Sequence, residues 1–268
     1  LYSRLGADSV YAISLSRLQK RREHMQLLKE QFDCEFNLIE AYDSLEYEGD
    51  LSFIDKHLAD TFFDPTGYIT LGVLCCALSH RKAWKQFLDS NDEVGLFLED
   101  DVYVTDYIST CDFNQIREDL TNLDWGVCWY GKYYDDLIVN KILTQTIAEP
   151  TPHLTSQYAA HAYLLTRASA QWFYNATSKI KYAVDLQLEL SPFNQVCLPQ
   201  SIFRQFKNKE EIHSVDEELI ESNTYKQWDY LTNIPVRVPD NFLPLQYSPK
   251  RLIHKQSSID GWQFKRDR

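Results

Sequence analysis

The chain has 268 residues, 44% hydrophobic and 14% aromatic, enough to bury one sizeable core. Its net charge of −12, from 27 basic and 39 acidic residues, argues against a nucleic-acid backbone as main partner, though not against one nucleotide held by a local metal and an arginine. No stretch reaches the roughly 18 apolar residues of a membrane span, and no signal peptide is legible.

Residues 9–15 (SVYAISL) read as a first strand. Ser16 is placed as the N-cap of a helix over 17–32, with Leu18, Met25, Leu28 and Phe32 along one face. Residues 35–39 alternate as a second strand. This βαβ opening predicts an α/β domain. No G-x-G-x-x-G is present, so a dinucleotide fold is not supported. Residues 44–68 carry acids, aromatics and Pro65-Thr66-Gly67, and read as an irregular loop with one short helix, a lid or acceptor platform.

The stretch 71–101 organises the chain. Leu74, Ala77, Leu78, Trp84, Phe87 and Leu88 recur at helical spacing, and 94–98 (VGLFL) reads as a buried strand. Glu99, Asp100 and Asp101 follow at its carboxyl end. Three adjacent carboxylates cannot all stay ionised and close without a counter-charge, and Mg²⁺ or Mn²⁺ suits such oxygen ligands. In an open α/β sheet, ligands bind beyond the carboxyl ends of strands. The plainer alternative is a solvated acidic turn. Alternation in an extended segment puts Glu99 and Asp101 on one side, as a metal-binding pair, and Asp100 on the other, toward a ribose or sugar. Ser79 and His80 lie on the helix beside its apolar stripe, where a lone histidine also serves as a packed, hydrogen-bonded core residue.

Residues 113–123 predict a helix and 125–130 a strand ending at Gly131. Residues 132–152 read as loop or hairpin, 158–166 as a buried strand, 167–177 as a helix and 196–203 as a last strand. Asp185 opens a short helix, either as a cap or as a catalytic acid. Beyond 207 the chain is charged and then punctuated by Pro235, Pro239, Pro244 and Pro249. The expected division is a domain over 1–206 and an extension over 207–268 that packs on it or meets partners. The six cysteines show no C-x-x-C spacing, so a zinc site is not expected and most read as small core residues. A reducing, cytoplasmic setting is the expectation, with the ER lumen as alternative if a signal precedes Leu1.

Several of these segments resemble glycosyltransferase family 25. They are Gly72, Cys76-Ala77-Leu78-Ser79-His80, Trp84, and Leu98-Glu99-Asp100-Asp101-Val102. The opening Ile13-Ser14-Leu15-Ser16-Arg17-Leu18-Gln19-Lys20-Arg21 is similar to the family's I-N-L-D-R-R-P-D-R, with Ser14 and Ser16 in place of Asn and Asp. Ala41-Tyr42-Asp43 resembles A-x-D, and His161-Ala162-Tyr163 resembles H-A-Y. Ala183-Val184-Asp185 resembles P-V-D, with Ala183 for Pro. In the helix motif G-E-x-G-C-x-L-S-H, Val73 replaces Glu and Cys75 replaces the second Gly.

The resemblance spans about 9–205. It implies a GT-A-like, Rossmann-type domain with a mostly parallel central sheet and helices on both faces. It also implies a metal-dependent, inverting enzyme moving a hexose, galactose before glucose, from a UDP-sugar donor to a hydroxyl of a glycan or glycoprotein acceptor. On this reading Glu99 and Asp101 hold Mn²⁺ or Mg²⁺, and Asp185 is the general base. Ser14, Arg17, Arg21, Asp43, Ser79, His80, Asp100 and His161 then line the donor side. Two alternatives stay open: a metal-dependent phosphohydrolase, and a degenerate glycosyltransferase fold that binds carbohydrate or scaffolds without turnover.

Overall fold

Strand β1 (Ser9–Ser14) is buried along its whole length and has a parallel neighbour on each side, β2 (Phe36–Glu40) and β4 (Val94–Glu99). The computed structural model describes residues 5–47, 68–69, 71–131, 139–150, 160–180, 183–205 and 234–235. Between β1 and β2 runs helix α1 (Gln19–Phe32), and before β4 runs α2 (Leu71–Leu88). The βαβ opening and the helix–strand unit ahead of the acidic turn are therefore as expected.

Helix α1 starts two residues later than the periodicity predicts. Leu18 is buried and leaves the helical region at ψ 68, so it occupies the cap position and offers no side-chain cap. Ser16 lies in the preceding turn. At the other end Asp33 takes the left-handed conformation (φ 46), and the Cys34 amide closes back on Lys29 O at 3.3 Å.

The main sheet has the order β2-β1-β4-β9-β6-β10-β8-β7. Its remaining strands are β6 (Val127–Trp129), β7 (Lys141–Ile142), β8 (Ala148–Glu149), β9 (Ala162–Thr166) and β10 (Gln195–Cys197). Strands β2, β1, β4, β6, β10 and β7 run one way, while β9 and β8 run the other. The sheet is thus mostly parallel, with β9 reversed in its middle. The polar segment at 132–152 supplies the β7–β8 hairpin.

Helices cover both faces. Helices α1 and α3 (Phe113–Thr121) pack on one cluster through Met25, Leu28, Phe32, Ile116 and Leu120. Helices α2, α4 (Arg167–Ala176) and α5 (Val184–Glu189) pack on the other through Trp84, Phe87, Phe173 and Leu188. Burying such a side chain fully stabilises by about 1.5–3 kcal/mol, and both stripes recur at helical spacing.

The strand expected over 196–203 is in fact two. After β10 the chain turns at Pro199 and leaves the sheet. It re-forms as β11 (Phe203–Gln205), antiparallel to β5 (Val102–Val104), the short strand that follows the acidic turn. A further two-strand pairing joins β3 (Tyr68–Ile69) to β12 (Ile234–Pro235). Apart from Ile234–Pro235, the extension expected over 207–268 lies outside the described residues, as does most of the loop over 44–68. Among the described residues no helix is long and apolar enough to cross a membrane.

Candidate active site

The carboxyl ends of β1 and β4 lie side by side, with Ile13 opposite Glu99. The next residues, Asp100 and Asp101, turn over this edge. Asp100 is 5% exposed and faces away from solvent. Its carboxylate accepts from Arg21 Nη1 at 2.7 Å and from the Leu15 amide at 3.3 Å. Asp100 therefore ties the end of β4 to the turn after β1.

Arg21 and Arg22 lie in the first turn of α1 and Arg17 just ahead of it, where the helix dipole disfavours cations. Carboxylates offset that cost. Arg17 pairs with Asp43, Arg22 with Glu40, and Arg21 with Asp100 and, at 3.6 Å, Asp101. Of the three, Arg21 is buried, at 4% exposed. Asp43 also caps its own turn by accepting from the Leu45 amide.

Glu99, the last residue of β4, and Asp101, in the turn after it, are bridged by one side chain. Gln205 Nε2 reaches Glu99 Oε2 at 3.4 Å and Asp101 Oδ2 at 3.1 Å. Gln205 faces Val102 across the β5–β11 pair, which sets its amide beside the turn. Its role was not legible, because the partner strand is distant in sequence.

The two acids are held differently. Burial pushes both up, but the hydrogen bonds that His80 and Cys76 donate to Glu99 Oε1, at 3.1 and 3.6 Å, leave Glu99 below its ordinary range. Asp101 is pushed up to about 7 by burial and by the Glu99 charge, against the pull of Arg21. Asp101 Oδ1 is buried and has no hydrogen-bond partner among the described residues. A buried acceptor without a donor among the described residues, beside a second carboxylate, suits a divalent cation.

On the α2 side, Cys76, His80 and Trp84 follow one another at intervals of four along the helix and so share a face. One ligand atom from each of Cys76, His80 and Glu99 lies within 4.8 Å of the others, a grouping that can hold a metal ion. Cys76 is half-buried, and burial with the charges of Glu99, Asp185 and Asp101 pushes its thiol well up. Asp185 thus converges on the same region as the acidic turn. It sits in the first turn of α5 rather than at the cap position, which Ala183 occupies, and its carboxylate accepts from the Leu186 amide at 2.7 Å.

The remaining candidates surround this centre. Ser79 Oγ donates to Cys75 O and accepts from the Tyr42 amide, fastening the segment after β2 to α2. Ser14 Oγ, 1% exposed at the end of β1, has no hydrogen-bond partner among the described residues. His161 is fully buried, its Nε2 3.4 Å from Phe203 O, and its carbonyl accepts from the Glu99 amide at 2.9 Å. Gly131 packs so closely that a Cβ there would lie 2.1 Å from His161 Nε2. The structure thus gathers Glu99, Asp101, Asp185, Cys76 and Gln205 around one region. Asp100, Arg21, His80 and His161 stand behind it, and Arg17 with Asp43 at its β2 side.

Procollagen galactosyltransferase 1-B of Xenopus laevis is 24% identical over 183 residues, which cover 65% of this chain and 29% of that protein. The probable inactive glycosyltransferase 25 family member 3 of Bos taurus is 25% identical over 176 residues, covering 63% and 29%. The chain therefore spans under a third of the length of these relatives. Among solved structures, a glycosyltransferase involved in the glycosylation of the major capsid of PBCV-1 aligns with a TM-score of 0.41 and 10% identity, covering 80% of this chain and 98% of that one. The profile of glycosyltransferase family 25 (LPS biosynthesis protein) matches residues 7–188, well over half of the sequence, and the chain belongs to that family.

Proposed function

We propose that the chain transfers a hexose, galactose before glucose, from a UDP-sugar to a hydroxyl of a glycan or glycoprotein acceptor, with inversion and with a divalent cation. The observation that carries the reading is the buried Asp101 Oδ1, without a hydrogen-bond partner among the described residues, beside Glu99 at the carboxyl edge of β1 and β4. Glu99 and Asp101 would hold Mn²⁺ or Mg²⁺, which when bound neutralises charge growing on a diphosphate leaving group.

The chain's own residues do the rest. Arg21 and Asp100 fix the turn, so both carboxylates keep one orientation. Gln205 spans the pair with a neutral donor and spaces the acids without adding charge. Arg17 and Asp43 stand where the ribose end of a nucleotide would approach β2. Asp185, in the first turn of α5, is the carboxylate that would take the acceptor proton as the new bond forms. The galactosyltransferase name of the Xenopus laevis relative supports galactose as the first donor to test.

The name of the Bos taurus relative supports a second reading, a binding module without turnover. Purified protein incubated with a UDP-sugar panel, with Mn²⁺ or with excess chelator, decides between them. Chelator-sensitive sugar transfer supports the enzyme. Glycan binding without turnover supports the module, and phosphoester hydrolysis without preference for UDP would overturn both.

A further inference from the structure

Glu99 ends a chain of hydrogen bonds whose direction follows from donor chemistry. The Trp84 indole can only donate, and its Nε1 lies 3.0 Å from Tyr163 Oη. Tyr163 Oη lies 2.7 Å from His80 Nδ1, and His80 Nε2 lies 3.1 Å from Glu99 Oε1. An ionised carboxylate can only accept, so Nε2 carries the proton. In the neutral ring Nδ1 is then an acceptor, and it takes the Tyr163 O–H. Every donor in the row meets an acceptor. The opposite tautomer sets a lone pair against the carboxylate and leaves the Tyr163 proton with no acceptor among these groups. All three side chains are at most 1% exposed, where an unmatched donor costs most.

The fold holds this row rigid. Tyr163 sits opposite Phe97 on β4 and Trp129 on β6, and stacks on Phe97 with ring centres 5.4 Å apart. The His80 ring stacks on Tyr163 at 5.7 Å. Burial keeps the Tyr163 hydroxyl well above its ordinary range and so protonated.

We propose that Trp84, Tyr163 and His80 are positioning residues: Trp84 and Tyr163 hold His80 as the Nε2–H tautomer, and His80 fixes the Glu99 carboxylate through Oε1, while Gln205 holds its Oε2 beside Asp101. The proposal rests on the reading of Glu99 as an acid of the metal side. Its test separates this role from a metal centre on Cys76, His80 and Glu99. That centre would need the Nε2 lone pair and a Cys76 thiolate, so it predicts loss of the Nε2 proton when metal is added.

The test is a long-range ¹H–¹⁵N spectrum of histidine-labelled protein, which separates protonated from bare ring nitrogens. The expected result is a single tautomer for His80, with Nε2 protonated and unchanged when Zn²⁺ is added. In Tyr163→Phe, which removes only the hydroxyl, the Nδ1 signal should move to that of an unbonded ring nitrogen while Nε2 stays protonated. The Mn²⁺ concentration for half-maximal transfer should rise about tenfold, the scale for losing a partner behind a metal ligand. A bare Nε2, loss of its proton on adding Zn²⁺, or an unchanged Mn²⁺ dependence in Tyr163→Phe would each overturn the proposal. The wild-type spectrum decides the tautomer even if the variant fails to fold. It also does so if no UDP-sugar is turned over, so failure of the proposed function remains separable.

Discussion

Gln205 Nε2 donates to Asp101 Oδ2 at 3.1 Å across 104 residues of chain. The same nitrogen reaches Glu99, so one amide separates two acids that would otherwise repel. Gln205→Ala should leave the pair unspaced. Metal-stimulated transfer is then expected to fall about tenfold while the protein stays folded. Transfer and circular dichroism measured on the same preparation check this, and unchanged transfer would make the bridge incidental.

Asp101 carries the cost of the crowded turn. Asp101→Asn removes one charge from beside Glu99 and Asp100, so the metal-free protein should melt higher. A gain of about 1 kcal/mol would raise Tm by about 2–4 °C for a domain of this size. Mn²⁺ should no longer raise Tm, and metal-stimulated transfer should be lost. A variant that melts lower, or that still responds to Mn²⁺, would remove Asp101 from the metal reading.

Asp119 gives a pH-dependent contribution remote from this centre. Its carboxylate accepts from Gln115 Nε2, the Thr144 and Thr146 hydroxyls and the Thr146 amide, so α3 holds the β7–β8 hairpin. Burial raises its pKa, but the Thr144, Thr146 and Gln115 donors outweigh that and set it below the ordinary 3.8. The unfolded chain therefore takes up this proton first as pH falls. The stabilisation is whole above about 3.8 and is lost as pH drops through the lower folded value. Asp119→Asn should cost about 1.5–3 kcal/mol at pH 7, the scale for hydrogen bonds to a charged group. Melting both proteins between pH 7 and pH 2 should show the gap closing at the acid end. A gap constant with pH would assign the effect to shape rather than charge.

Much of this architecture was legible from periodicity. The β1–α1–β2 opening, α2, β4 and α4 each have an apolar face of regular spacing, which local residues alone dictate. The reversal of β9 was not legible, because a short apolar run buried on both faces reads the same in either direction. Nor was the break between β10 and β11, where the apolar run continues through a turn and only tertiary pairing with β5 splits it. At the site, the three adjacent acids at the end of β4 were legible because they are local, but Asp100 and Asp101 form a turn, so Gln205 and not strand alternation brings Glu99 and Asp101 together. The burial of Arg21 and the bridging by Gln205 depend on partners 79 and 104 residues away, and spacing carries no record of them.

Asp185 is the proposed base, and its placement gives the sharpest test of mechanism. It lies in the first turn of α5. Its charge reaches Cys76, which donates to Glu99, so the acid lies close to the acidic turn without belonging to it. Asp185→Asn keeps the size of the side chain and an oxygen that can still accept from the Leu186 amide, but it cannot accept a proton from an acceptor hydroxyl. Transfer should fall by about 10²-fold or more. Binding of UDP with Mn²⁺, measured by calorimetry, should stay within about twofold, because a base acts on the acceptor and not on the diphosphate. A loss of UDP binding equal to the loss of transfer would move Asp185 to the donor side. Transfer near the wild-type rate would place the base on another residue.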